Sequence, residues 1–336
     1  MKNYLLLLGA LIMFGSCTTP DAASSPKKTS GSSQTLTFQK CRAISDDQIE
    51  FDFSRPVTIK SLVFFPDLPV ASVENGGTVK VTLEGKTEPG KLITVDLLAE
   101  DEKRNTINVL VSFRTRNNRM PSLVINEICT EYANAAAGKK AEFIEFKMMS
   151  DGNLGAMRVV IIGNTSAAKE TIYEFSSADV KQGDYVVLHL RTYDPASVDE
   201  YGADTLISGG MNSSSARDFW IPGESKLIHK TSMVYVLDQD DKVLSAVMIS
   251  EKADSWWTKD YFAETAAFLF ANNAWKSAQG EAPGPADAFI SAGTTNTRTI
   301  CRDESAENTN TASDWYITAT SSATPGTANN TKRYSN

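Results

Sequence analysis

The sequence predicts an all-β protein, two β-sandwich domains in tandem with one α-helix inserted into the second. Three observations carry this. Apolar and polar residues alternate with period two through short runs along most of the chain, as half-buried strands require. Turn-forming Asn, Asp, Gly and Pro residues separate those runs at short spacing. One stretch, Thr258 to Trp275, places its large apolar residues at helical spacing instead. With 336 residues, 41% hydrophobic and 22% charged, the chain is long enough for two domains of ordinary size. A net charge of −8 argues against a dedicated nucleic-acid binder, which would show a basic stripe. Two histidines, His189 and His229, and four cysteines exclude a multi-histidine metal site and a zinc ribbon. No cofactor and no metal is expected.

The N-terminus reads as an address. Lys2 precedes an apolar run from Tyr4 to Phe14, then Gly15-Ser16-Cys17. An early positive charge, a short apolar core and small residues before a cleavage point make a secretory signal over residues 1–16. The run is shorter than the roughly 20 apolar residues that span a bilayer. Phe14-Gly15-Ser16-Cys17 resembles the lipobox of bacterial lipoproteins, with Phe14 where those families carry an aliphatic residue. The resemblance implies cleavage before Cys17, a lipid on its sulfur and membrane lipid as partner. The protein would then be anchored in the bacterial envelope, on the periplasmic or exposed side of the outer membrane. Removal of residues 1–16 takes away Lys2 and no acid, so the charge becomes −9. Residues 17–34, rich in Ser, Thr, Pro and Lys, read as a flexible tether.

Residues 35–118 form the first predicted sandwich. Ile49, Phe51 and Phe53 alternate with polar residues, as do Val79, Val81 and Leu83, and Ile107, Val109, Val111 and Phe113. Asn75-Gly76-Gly77, Pro89-Gly90 and Asp101-Glu102-Lys103 supply turns. Ile49 to Val57, with Phe53-Ser54-Arg55-Pro56-Val57 at its end, resembles an early strand of bacterial Ig-like domains. Pro56 fits a strand edge or bulge, where no ladder N–H is needed. Asp46-Asp47 reads as a solvated turn. Arg114, Arg116 and Arg119 lie in the polar stretch up to Pro121 that reads as a solvated inter-domain linker.

Residues 122–330 form the second. In order come Ile125-Asn126-Glu127-Ile128, Glu142-Phe143-Ile144-Glu145-Phe146, Gly152-Asn153-Leu154-Gly155 and Gly183-Asp184-Tyr185-Val186-Val187-Leu188. There follow Met233 to Asp238 with its turn, Trp315, and Ala323-Thr324-Pro325-Gly326 with Asn329. This succession resembles the lamin-tail domain, whose Ig-like β-sandwich it implies. Two departures stand out: Lys242 replaces the glycine of the Asp238 hairpin, and residues 251–292 are inserted. Glu127, Glu142 and Glu145 read as solvent-facing strand acids.

The insertion holds the helix. Tyr261, Phe268 and Trp275, with Phe262 and Leu269, make one apolar stripe, and Thr258 can cap its start. The stripe would cover the open end of the sandwich or meet a partner. Trp256, Trp257 and Trp220 are candidate ligand contacts, through stacking on sugar rings. Gly163-Asn164-Thr165-Ser166 lacks the Gly-Lys-Ser/Thr run of a phosphate loop. Ser213-Ser214-Ser215 has no histidine beside it, and His189 and His229 alternate in strand-like runs. Asp238 to Asp241 reads as a hairpin turn.

No catalytic residue emerges. The reading is a non-catalytic, membrane-anchored lipoprotein that binds an unidentified protein or envelope polysaccharide through its second domain. The alternatives are a hydrolase accessory or degenerate hydrolase, and a carbohydrate-binding module. With Cys17 assigned to lipid, Cys41, Cys129 and Cys301 remain, an odd number. Cys129 and Cys301 are the expected disulfide because both belong to the second domain.

Overall fold

The computed structural model describes residues 35–135, 138–163, 169–209 and 213–335. Cys17, the signal segment, the tether and residues 164–168 of the phosphate-loop-like stretch lie outside the described residues. The chain is all-β, two β-sandwich units in tandem with a helix inserted in the second. Among the described residues no helix is long and apolar enough to cross a membrane.

The first unit has six strands: β1 (Phe38–Ala43), β2 (Gln48–Phe65), β3 (Val70–Glu74), β4 (Gly76–Leu83), β5 (Leu92–Asp101) and β6 (Thr106–Arg114). They make one sheet in the order β3-β4-β2-β5-β6, with β1 also on β2. Strand β2 serves two pairings. Its first half lies between β1 and β4, and its second half pairs with β5. The β4 register jumps from Asp52 to Val57, so Pro56 sits where β2 leaves one neighbour for the other. A residue without an N–H fits that break. The sheet folds over there, β1 packs near β6, and Ile49, Phe51, Val79, Val81, Val95 and Leu97 fill the core between the halves. Gly76 and Gly77 belong to β4, so the turn from β3 is tighter than the Asn75-Gly76-Gly77 reading.

The second unit begins with β7 (Leu123–Cys129), β8 (Ala133–Ala135), β9 (Gly138–Lys140), β10 (Phe143–Met148), β11 (Gly152–Asn153) and β12 (Arg158–Ile162). It continues with β13 (Glu170–Glu174), β14 (Asp179–Val180), β15 (Tyr185–His189), β16 (Arg217–Trp220), β17 (Ser232–Leu237) and β18 (Val243–Ser250). After helix α1 (Asp260–Ala271) come β19 (Phe289–Ile290), β20 (Ile300–Arg302) and β21 (Trp315–Ile317). The main sheets run β16-β15-β10-β7-β20-β21 and β13-β12-β17-β18-β19; β8 pairs β9 and β11 pairs β14. One core, including Ile128, Ile144, Phe146, Leu188, Val234 and Val247, joins the two main sheets.

Helix α1 buries Phe262, Ala266 and Leu269, spaced four and three apart, against β17 and β18. Its N-cap is Lys259, without a side-chain bond, so Thr258 is one position too early to cap it. The stripe's last residue, Trp275, lies past the helix and is fully buried, its Nε1 donating to the Asp287 carbonyl at 3.0 Å. In the β17–β18 hairpin the left-handed residue is Asp241 (φ 66°), not Lys242. An aspartate tolerates that conformation, which is why the turn survives without glycine.

The stretch between the units is not a solvated linker. Arg116 makes two 2.6 Å bonds to Asp240, Arg119 reaches Asp179 at 2.9 Å, and Arg114 reaches Glu174 at 2.7 Å. Asn117 donates from Nδ2 to the Asn153 and Gly155 carbonyls and exchanges two bonds with Gln239. Gly90 (φ +69°) is needed there, because a Cβ would sit 2.3 Å from the Ala156 nitrogen. Local spacing cannot show these pairs, because the acids come from distant turns and strands of the second unit.

Candidate binding site

Register explains the site. Across the six-stranded sheet, Phe219, Leu188, Ile144, Ile128 and Ile300 stand in one row and enter the core. One residue along, side chains point the other way. There the rows read Asp218, Val187, Glu145, Glu127, Cys301 and Trp220, His189, Phe143, Cys129. This second face is also buried, beneath the segment 321–327.

Glu127 and Glu145 hold that segment. Glu127 accepts from the Thr324 N–H at 3.0 Å and from the Thr299 hydroxyl. Glu145 accepts from the Gly326 N–H at 2.5 Å and from Asn126 Nδ2 at 2.8 Å. Ser213 and Ser215 hydroxyls donate to the Pro325 and Gly326 carbonyls at 3.1 and 2.9 Å. Glu127, Glu142 and Glu145 are thus fully buried rather than solvent-facing. Glu142 receives Arg191 through two bonds of 2.6 and 2.7 Å. Burial pushes the Glu145 carboxyl well above the usual range, against the Asn126 bond and with the Glu127 charge opposite adding to the rise. Burial raises Glu127 as well.

Cys129 and Cys301 are free thiols, as is Cys41, so the expected disulfide is absent. Cys301 faces Glu127, which places Thr299 across from Cys129. The cysteines are therefore diagonal neighbours, about 7–8 Å apart. A disulfide needs Cα atoms roughly 4.4–6.8 Å apart. Cys129 donates to the Glu131 carbonyl at 3.1 Å, and burial pushes its thiol up to about 12. Burial also raises the Cys301 thiol. Neither is primed as a nucleophile.

A cavity of ≈ 400 Å³ opens beside this face. Its floor is the row Cys129, Phe143 and His189; Ala323 and Pro325 of the covering segment form one wall, and Asn296 and Thr297 another. His189 is 3% exposed. Its Nε2 bonds Asp218 at 2.7 Å, and its ring stacks on Trp220 with centroids 3.8 Å apart and planes at 12°. Asp218 also accepts the Ser213 N–H at 2.7 Å. His189 Nδ1 has no partner.

The three tryptophans part company. Trp220 is buried, its Nε1 donating to the Ser208 hydroxyl at 2.8 Å. Trp257 packs on Phe262 and donates to the Pro283 carbonyl at 2.9 Å, fixing the start of the insertion. Trp256 stands open to solvent at 74% exposure, while Trp257 is half-buried. Asp218 was missed in the sequence, as was its meeting with His189 and Ser213. That meeting depends on the parallel pairing of β15 with β16, across a long connection that leaves no periodic signal.

The family model TP_1001_2nd, described as protein second domain, matches residues 121–317. An uncharacterized protein of Treponema pallidum (strain Nichols) is 32% identical over 145 residues, 42% of this chain and 35% of that protein. The match therefore spans about a third of that relative's length. The crystal structure of the N-terminal part of the bacterial S-layer protein SbsC is similar at a TM-score of 0.25 and 15% identity, over 45% of each chain. A DUF4876 family protein from Bacteroides thetaiotaomicron is similar at a TM-score of 0.32 and 13% identity, over 84% of this chain and 92% of that one. The family match takes in more than half of the residues, and the chain belongs to the TP_1001_2nd family.

Proposed function

We propose that the protein is a lipid-anchored binding module of the bacterial envelope, with a lamin-tail-like second unit that holds its ligand in the cavity at His189. The supporting observation is how the face is wired. The carboxylates of Glu127 and Glu145, which acid–base chemistry would draw on, are occupied by backbone N–H groups of the covering segment. His189 is locked between Asp218 and Trp220 beside an apolar floor. A pocket with an apolar floor and a few polar side chains, Asn296 and Thr297 among them, at its wall is a binding geometry. The lamin-tail reading gains from the same contacts. The glutamates and the Ala323-Thr324-Pro325-Gly326 turn that carry the resemblance meet in space.

The anchor rests on Cys17, which follows the apolar run and Gly15-Ser16. Lipid on that sulfur would bind membrane at about 0.8 kcal/mol per buried CH₂. Cell fractionation tests it: Cys17→Ala should move the protein from the membrane to the soluble fraction. Continued membrane association of that variant overturns the anchor. Sugar binding would rest on Trp256 with the half-buried Trp257 beside it, and unchanged glycan retention by Trp256→Ala together with Trp257→Ala would end that reading.

A further inference from the structure

The second unit carries a docking surface on the main sheet that does not line the cavity. We infer that the outer edge of β13 accepts a strand from another protein, an extended segment with a basic and an apolar residue two positions apart. This goes beyond the cavity and does not depend on it.

The phase of the β12–β13 ladder leaves that edge open. Gly163 donates its N–H to the Lys169 carbonyl at 3.2 Å, and Phe175 donates to the Met157 carbonyl at 2.9 Å. Thr171 and Tyr173 therefore turn their backbone groups to β12, and Glu170, Ile172 and Glu174 turn theirs outward. Among the described residues nothing meets those outward N–H and C=O groups, and β13 ends its sheet. Two other edges of the unit are closed from within. On β16, the Asp218 and Trp220 N–H groups donate to the Glu200 and Asp199 carboxylates, each at 2.8 Å. On β21, the Ile317 carbonyl accepts the Tyr334 N–H at 2.8 Å. An open row of backbone groups is a template for an added strand.

The side chains select the occupant. Glu170, Ile172 and Glu174 share one face. Ile172 lies in register with Val160 and Tyr235, and Phe268 of α1 packs on the Tyr235 ring. Ile172 and Phe268 are 53% and 37% exposed, an apolar shelf along the open edge. Arg114 holds Glu174, and Glu170 has no ionic partner among the described residues. A second copy is a poor match, because antiparallel pairing over the whole strand sets Glu170 of each copy against Glu174 of the other. A segment with an apolar residue opposite Ile172 and a basic one opposite Glu170 complements the edge, and the net charge of −8 favours it.

The test uses the full chain and a capped heptapeptide with threonine at odd positions and lysine, isoleucine and lysine at even ones. Its counterpart carries glutamate for both lysines. Amide hydrogen exchange, followed by NMR, should slow roughly tenfold at Glu170, Ile172 and Glu174 with the lysine peptide, and less at Thr171 and Tyr173. The glutamate peptide should bind about fivefold more weakly. Glu170→Lys, at an exposed position, should cancel that preference. Ile172→Pro removes an N–H that the ladder does not use and should abolish binding. The inference is overturned by unchanged exchange at the three amides, by equal binding of the two peptides, or by binding that survives Ile172→Pro. Slowing that grows with protein concentration in the absence of peptide also overturns it, since a second copy is then the occupant.

Discussion

The two six-stranded sheets are built to different rules. In the first unit, β5 alternates buried and accessible residues along its length, because one face meets the core and the other meets water. Leu110 and Phe65 simply stand on that outer face, exposed. In the second unit, β7 and β10 are buried on both faces. One face is apolar and needs no partners. The other carries Glu127, Glu145 and His189, whose carboxylates and Nε2 take their partners from within the protein. Covering a sheet twice therefore demands a second kind of complementarity, in which hydrogen bonds rather than volume decide what fits.

The contrast is broken most severely on the apolar face. Ile144 is fully buried between the sheets, and Ile144→Ala should cost about 2–5 kcal/mol, read as a lower denaturant midpoint. The polar face should respond through its cover. Gly326 has φ +84°, and a Cβ there would lie 1.9 Å from the Ser213 hydroxyl. Gly326→Ala combines left-handed strain with a lost Ser213 bond, about 2–3 kcal/mol together. Gly183 is the control: φ is +89° but its surroundings are open, so Gly183→Ala should cost only the strain, about 1–2 kcal/mol. Equal losses at both glycines would mean that the cover is not packed as described.

The same contrast sets what was legible. Alternation exposed the strands of the first unit, and the break at Pro56 was readable because proline lacks an N–H. In the second unit the strands themselves were legible, but their outward acids were misread. Period two says that Glu127 and Glu145 share a face; it does not say that a segment about 180 residues later lies on them. The arginines of the joint failed for the same reason, their partners being remote in sequence. Burial of Trp220 and exposure of Trp256 likewise depend on which loop covers which strand. Local spacing reports faces, and remote segments decide what covers them.

Glu145 probes the polar face by titration. Its proton is held more tightly folded than unfolded, because burial and the facing Glu127 raise its folded pKa. Such a group contributes fully below the unfolded value, about 4.3, and that contribution is lost as pH rises through the folded value. Stability should therefore fall as pH climbs from about 4.3. Glu145→Gln should flatten that fall while keeping an acceptor for Gly326. Denaturation midpoints across pH check this, and a parallel decline in both proteins would remove Glu145 as the cause.

The smallest effect belongs to the ion pair at the joint, where the first unit meets the second. Arg116 and Asp240 form a two-bond pair, but both side chains are partly open to solvent. Water and salt screen such a pair, so its coupling should be about 0.2–1 kcal/mol by a double-mutant cycle of Arg116→Ala and Asp240→Ala. Asn117 is buried, and its Nδ2 donates to two carbonyls. Asn117→Ala should therefore exceed either surface variant, at about 1–3 kcal/mol. If the ion pair proves the larger, charge rather than buried hydrogen bonding fixes the joint, and salt should then loosen it.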